Sequence, residues 1–156
     1  MYMITTQRTT SDNPDFQNLV AALDKLLAVL DGDEHAFYAQ FNKTANLDTD
    51  VVYYDNDIAL GCGAFRQYDL NTIEIKRMYT APEARRKGIA ALILRDLEQW
   101  ALELSYTTSL LETGNKQPEA ISLYQKLGYR NIPNFGPYES VINSICIKKN
   151  LQELKI

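Results

Sequence analysis

Residues 73–97, IEIKRMYTAPEARRKGIAALILRDL, decide how this chain of 156 residues is read. Residues 73–79 are rich in β-branched and aromatic side chains and read as a strand. Thr80, Ala81 and Pro82 end it, because proline has no N–H to give to a ladder. Ile89, Leu92, Ile93, Leu97, Trp100, Ala101 and Leu104 then recur three and four residues apart, which is one face of an amphipathic helix. Strand and helix are joined by a basic turn, Arg85-Arg86-Lys87-Gly88-Ile89-Ala90.

The first turn of a helix has unpaired N–H groups and a partial positive charge. An anion is its natural occupant, phosphate above all. Gly88 and Ala90 are small enough to let a diphosphate approach the main chain, and Arg85, Arg86 and Lys87 add charge beside it. A solvated basic turn capping a core helix would use the same residues, so the turn alone leaves both readings open.

The rest of the chain sets the class. Its length fits one domain, residues 1–156, able to bury a core without staples. Apolar residues make up 46% and charged residues 23%, ordinary for a globular protein. No apolar run approaches a membrane span, and the N-terminal residues lack the apolar stretch of a signal peptide. With two cysteines, Cys62 and Cys146, each in an apolar run, buried free thiols and a cytoplasmic address are expected. One histidine and two cysteines give no basis for a metal site or a Cys–His nucleophile. The net charge of −4 argues against a nucleic-acid partner and mildly favours a cationic one.

Taken in order, residues 3–9 read as a first strand. Ser11, Asp12, Asn13 and Pro14 start a helix. Phe16, Leu19, Val20, Leu23, Leu26, Leu27 and Leu30 form its apolar stripe, and Gly32 stops it. A shorter helix to about residue 43 would pack Phe37, Tyr38 and Phe41 inward, followed by a polar loop over 42–50. Asp31, Asp33 and Glu34 are either a solvated loop or a negative rim for a protonated amine. Three strands follow as a meander: 51–55, 58–68 and 73–79. Asn56 and Asp57 form the first turn, and Gly61 and Gly63 mark a bulge or a close backbone approach. Beyond the long helix come a strand over 107–112, a helix from Pro118 ended by Gly128, and a last strand over 141–148. The pattern β-α-α-β-β-β-α-β-α-β is an α/β chain with a central mixed sheet and flanking helices. Neither a dinucleotide GxGxxG nor a P-loop is present.

On these residues the chain resembles the GNAT superfamily of acetyl-CoA-dependent N-acetyltransferases. The family signature [R/Q]-x-x-G-x-[G/A] stands here as Arg85-x-x-Gly88-x-Ala90. MYTAP precedes it, and Ala120-x-x-x-Tyr124-x-x-x-Gly128-Tyr129 follows at the family's usual distance. The resemblance is firmest over 61–129. It implies a GNAT-like acyl-CoA N-acyltransferase fold, acetyl-CoA as cosubstrate and no metal. It implies that the amides of Arg85, Arg86, Lys87, Gly88, Ile89 and Ala90 cradle the diphosphate. Met78, Tyr79 and Thr80 would pair with the pantetheine arm, with the Met78 N–H polarising the acetyl carbonyl.

Tyr124 resembles the tyrosine that protonates the departing thiolate; it would otherwise be a core aromatic. Glu74 has the spacing of the strand glutamate that acts as base in some members, or else it pairs with Lys76 on the same strand face. The family often has asparagine where this chain has Gln117, and Asn115 lies two residues earlier; either could meet the cofactor. The acceptor, a small-molecule or a peptide amine, would enter between the first helix, the 73–79 strand and the loop 135–138. Tyr138 is then a lining or a rim residue. A non-catalytic acyl-CoA-binding module is the alternative class, and homodimers are common among relatives.

Overall fold

The structure is a computed structural model that describes residues 3–41, 43 and 47–152. β1 (Ile4–Thr9) pairs antiparallel with β2 (Thr49–Asp55), β2 with β3 (Ile58–Asp69), and β3 with β4 (Thr72–Thr80). Asn56 and Asp57 close the β2–β3 hairpin at positive φ, 49° and 71°, as a two-residue hairpin turn demands. β4 runs parallel to β5 (Thr108–Gly114), which carries β7 (Ser144–Asn150) and, outermost, β6 (Arg130–Ile132). The sheet order β1-β2-β3-β4-β5-β7-β6 is the expected mixed α/β sheet.

Several boundaries differ from the sequence reading. β6 was not anticipated, since its three residues carry no alternating apolar pattern. The last strand begins at Ser144, because the amides of Val141 and Ser144 are spent in turns on the carbonyls of Tyr138 and Val141. The loop expected over 42–50 lies partly outside the described residues, and Thr49 and Asp50 already belong to β2.

α1 (Pro14–Asp31) starts as its sequence dictates: Asn13 Oδ1 accepts from the amides of Asp15 and Phe16, with Pro14 in the first turn. α2 (His35–Ala39) is shorter than expected. α3 (Ile89–Glu103) and α4 (Pro118–Lys126) complete the set. Phe16, Leu19 and Val20 of α1 pack on Val52, Cys62 and Ala64. On the opposite face Ile89, Ile93, Leu94 and Leu97 of α3 pack on Val51, Phe65, Ile73 and Ile75, joined by Tyr124 and Tyr129. A third cluster gathers Tyr38, Tyr138 and Cys146. Both cysteines are buried and free.

A polar clasp inside the second cluster fixes α3. Glu98, in its apolar face, accepts from Lys149 Nζ at 3.0 Å and from the Tyr129 hydroxyl at 2.8 Å. Burial pushes the Glu98 carboxyl up, while Lys149 and Tyr129 pull it back. A buried charge survives only when paired in this way.

Two irregularities of β4 make room for a site. The β4–β5 ladder holds only at Thr72↔Thr108, Ile73↔Ser109 and Glu74↔Leu110; beyond Glu74 the strands part. On its other side the β3–β4 register passes from Cys62↔Tyr79 to Ala64↔Lys76, so Gly63 faces both Arg77 and Met78. That two-against-one count is a bulge, with Arg77 at φ 60°. Arg77 reaches under α1 to Asp24 at 2.6 Å and the Val20 carbonyl at 3.4 Å, which holds this strained conformation. Met78 turns to the α3 side, over the glycine. Among the described residues no helix is long and apolar enough to cross a membrane, and no group of potential metal ligands occurs.

Candidate active site

Two cavities open where β4 and β5 part. The larger, about 660 Å³, lies between the 85–90 turn, the start of α4 and the second half of α1. Of the expected cofactor residues, Met78, Tyr79, Thr80, Arg85, Arg86, Gly88, Ile89, Ala90, Gln117 and Tyr124 line it. Lys87 stays off the wall, exposed. The smaller cavity, about 140 Å³, lies in the cleft itself, walled by Glu74, Lys76, Met78, Glu112, Asp31 and Tyr38 among others. The two share Leu23, Met78, Gln117, Ala120 and Tyr124.

The turn leaves its amides open. Among the described residues the amides of Arg86, Lys87, Gly88, Ile89 and Ala90 donate to no main-chain carbonyl, and no side chain caps α3. Arg86 and Gly88 take positive φ, 65° and 78°, and such local reversals gather amides into a concavity. A Cβ on Gly88 would meet nothing within 4 Å, so the space before the helix is open. Only the edges of the turn are spoken for. The Arg85 amide bonds the Pro82 carbonyl and its Nε the Thr80 carbonyl. Arg86 makes a loose, exposed 3.4 Å pair with Glu119, worth little by itself.

Tyr124 lies at the junction of the cavities, edge-on to Tyr129 at 5.9 Å. Its hydroxyl has no hydrogen-bond partner among the described residues, and burial alone pushes the phenol well above its ordinary range. Gln117, not Asn115, lines both cavities; Asn115 is held outside by Asn143.

Glu74 lies in the smaller cavity but is occupied. Its Oε1 accepts from Arg66 Nε at 2.9 Å and Nη2 at 2.8 Å, and Lys76 Nζ is 3.6 Å from Oε2. The pairing with Lys76 is thus one of the two relations expected for it. Burial lowers the Lys76 ammonium, against the pull of Glu74. Glu112, across the cleft on β5, escaped the sequence reading. Burial pushes its carboxyl up to about 7, against Ser144 and Lys76, which pull it down. Its Oε2 is enclosed with no hydrogen-bond partner among the described residues.

The acids of 31–34 separate. Asp31 lines the smaller cavity, its carboxyl raised chiefly by burial. Glu34 is tied to Asn143. The loop 135–138 does not reach the cavity wall as expected: Tyr138 is 2% exposed and stacks behind Tyr38 at 6.4 Å. Tyr38, bonded to Ser144 at 2.9 Å, supplies that wall instead. The apolar stripe of α1 also divides. Phe16, Leu19 and Val20 enter the core, while Leu26, Leu27 and Leu30 roof the cavities.

The profile of the acetyltransferase (GNAT) family matches residues 14–129. The chain belongs to the GNAT family. That membership makes it an acetyl-CoA-dependent N-acetyltransferase by class. It is 31% identical over 135 residues to the IAA acetyltransferase of Azospirillum brasilense, covering 85% of this chain and 88% of that protein. An uncharacterised N-acetyltransferase of Bacillus subtilis, YsnE, is 32% identical over 100 residues, 63% of this chain and 66% of its own. The crystal structure of a putative acyl-CoA N-acyltransferase from Klebsiella pneumoniae superposes with a TM-score of 0.81 at 29% identity, over 96% of this chain and 98% of that one.

Proposed function

We propose that this GNAT protein moves the acetyl group of acetyl-CoA to a primary amine by direct attack. In this reading the larger cavity takes the coenzyme. The open amides of Arg86, Lys87, Gly88, Ile89 and Ala90 receive its diphosphate, and Tyr79 and Thr80 flank the pantetheine arm. The smaller cavity takes the amine. The observation that carries the proposal is that the two cavities meet at Met78 and Tyr124.

At that junction the Met78 N–H is the fixed dipole for the carbonyl oxygen as it gains charge. The amine nitrogen bonds to the carbonyl carbon, the C–S bond breaks, and the thiolate leaves beside Tyr124. A phenol with so high a pKa stays protonated and serves as a hydrogen-bond donor to the sulfur. It yields its proton only as far as the thiolate is equally desolvated.

Asp31 and Glu112 bias the smaller cavity toward a cation, whereas Lys76 is already matched by Glu74. A slender amine without a neighbouring carboxylate suits that balance.

The test is release of free thiol from acetyl-CoA across a panel of alkylamines, diamines, amino acids and short peptides, with acetyl-CoA binding measured in parallel. Turnover with an alkylamine or diamine is the expected result. Tight binding with no turnover for any amine would make the protein a sensing module instead.

A further inference from the structure

The geometry points to Glu112 as the group that takes the proton from the incoming ammonium, in place of Glu74; this rests on the acetyl-transfer reading. Of the two glutamates that β4 and β5 bring to the smaller cavity, one is spent. Glu74 has Arg66 on one oxygen and Lys76 beside the other. Both of its oxygens are thus turned to cations rather than left open to an incoming ammonium. Glu112 has an oxygen with no hydrogen-bond partner among the described residues, and the residue lines a cavity that continues to Met78 and Tyr124.

The groups around Glu112 come from every side. β4 brings Lys76 and Glu74, the end of α1 brings Asp31, α2 brings Tyr38, and β7 brings Ser144 and Cys146, with Tyr138 behind. Lys76 and Ser144 favour the carboxylate; Asp31, Glu74 and burial disfavour it, and burial is the largest influence. The balance lifts the group from its ordinary 4.5 to about 7, where a base is both ionised and strong enough to act.

The step balances simply. R–NH3⁺ gives one proton to the Glu112 carboxylate, leaving R–NH2 and a neutral carboxylic acid. The freed lone pair forms the C–N bond as the C–S bond breaks. The nitrogen then gives up a second proton, which ends on the sulfur by way of the Tyr124 hydroxyl, so that coenzyme A leaves as the thiol, and Glu112 returns the first proton to solvent.

The decisive measurement is the pH dependence of kcat/KM with whichever panel amine turns over. Wild type should lose activity as the pH falls through about 7. Glu112→Gln should be slower by a factor of about 10² to 10⁴, lack that limb, and bind acetyl-CoA unchanged. Glu74→Gln should keep the limb even where its overall rate falls. A Glu112→Gln enzyme that keeps the wild-type rate and limb overturns the assignment while leaving the acetyl-transfer reading intact. Absence of turnover in wild type with acetyl-CoA bound removes both. Independently of any variant's folding, ¹³C NMR of side-chain-labelled glutamates in wild type, with the Glu112 resonance assigned, should show that carboxyl titrating near 7. If the Glu112 carboxyl titrates in its ordinary range, it is not the base.

Discussion

Gly63 and Met78 occupy each other's space across the bulge of β4. A methyl group on the glycine would collide with Met78 Sδ and come within 3.0 Å of Ile93 and Leu97 side chains. The bulge places Arg77 under α1 and Met78 over α3, and the missing Cβ lets the strand close around that arrangement.

Gly63→Ala is therefore expected to cost about 1–3 kcal/mol of stability, the usual penalty for overpacking a core. It should also shift the Met78 amide and lower kcat more than it raises the KM for acetyl-CoA. Thermal melting and steady-state kinetics on one preparation check both. A lower melting temperature with kcat intact would mean that the Met78 side chain gives way without moving its amide.

Tyr124→Phe removes one oxygen at the junction and leaves the ring packed on Tyr129. The expected outcome is a kcat lower by roughly ten- to a thousandfold with acetyl-CoA affinity kept. A variant as fast as wild type would return Tyr124 to the status of a core aromatic.

Gly88→Val places a branched side chain where φ is 78° and the space ahead is empty. The strain costs on the order of 1 kcal/mol, but the larger effect should fall on the coenzyme. The KM for acetyl-CoA should rise about tenfold or more while kcat at saturation changes less. Isothermal titration with coenzyme A reads the same loss without an acceptor. Equal affinity would mean that the diphosphate does not approach this turn.

Asp50 offers a test of stability that does not involve catalysis. It is wholly buried, neither oxygen has a hydrogen-bond partner among the described residues, and burial with nearby Asp48 lifts its carboxyl from 3.8 to about 7. The folded chain thus keeps a proton that the unfolded chain has released. Stability should fall as pH rises from about 4 to about 7 and stay at that lower level above it. Asp50→Asn should raise the melting temperature at pH 8, by roughly 2–4 °C per kcal/mol recovered, and the gain should vanish toward pH 4. A difference independent of pH would mean that ionisation of Asp50 is not its cause.

What was legible in the sequence was local. The strand, turn and helix of 73–97, the Asn13-Pro14 start and the Asn56-Asp57 turn each state their geometry in a few neighbouring residues. Gly61 and Gly63 announced a bulge or a close approach, though not its partners, which are Ile89 and Ile93 at Gly61 and Met78, Ile93 and Leu97 at Gly63. Glu112 could not be singled out. On the strand TSLLETG it looks like any polar residue, and what distinguishes it comes from Lys76, Asp31 and Ser144, remote in the chain. The division of the α1 stripe was hidden for the same reason. A leucine that roofs a cavity has the same helical spacing as one in a core, and only the parting of β4 from β5 tells them apart.

The partition between the two cavities has a thermodynamic corollary. Leu23, Met78, Gln117, Ala120 and Tyr124 belong to both chambers, so a ligand that displaces any of them in one chamber alters the wall of the other. On the proposed reading, donor and acceptor affinities would then be linked quantities. By detailed balance, any factor by which the acyl donor tightens or loosens its co-ligand must be returned in equal measure.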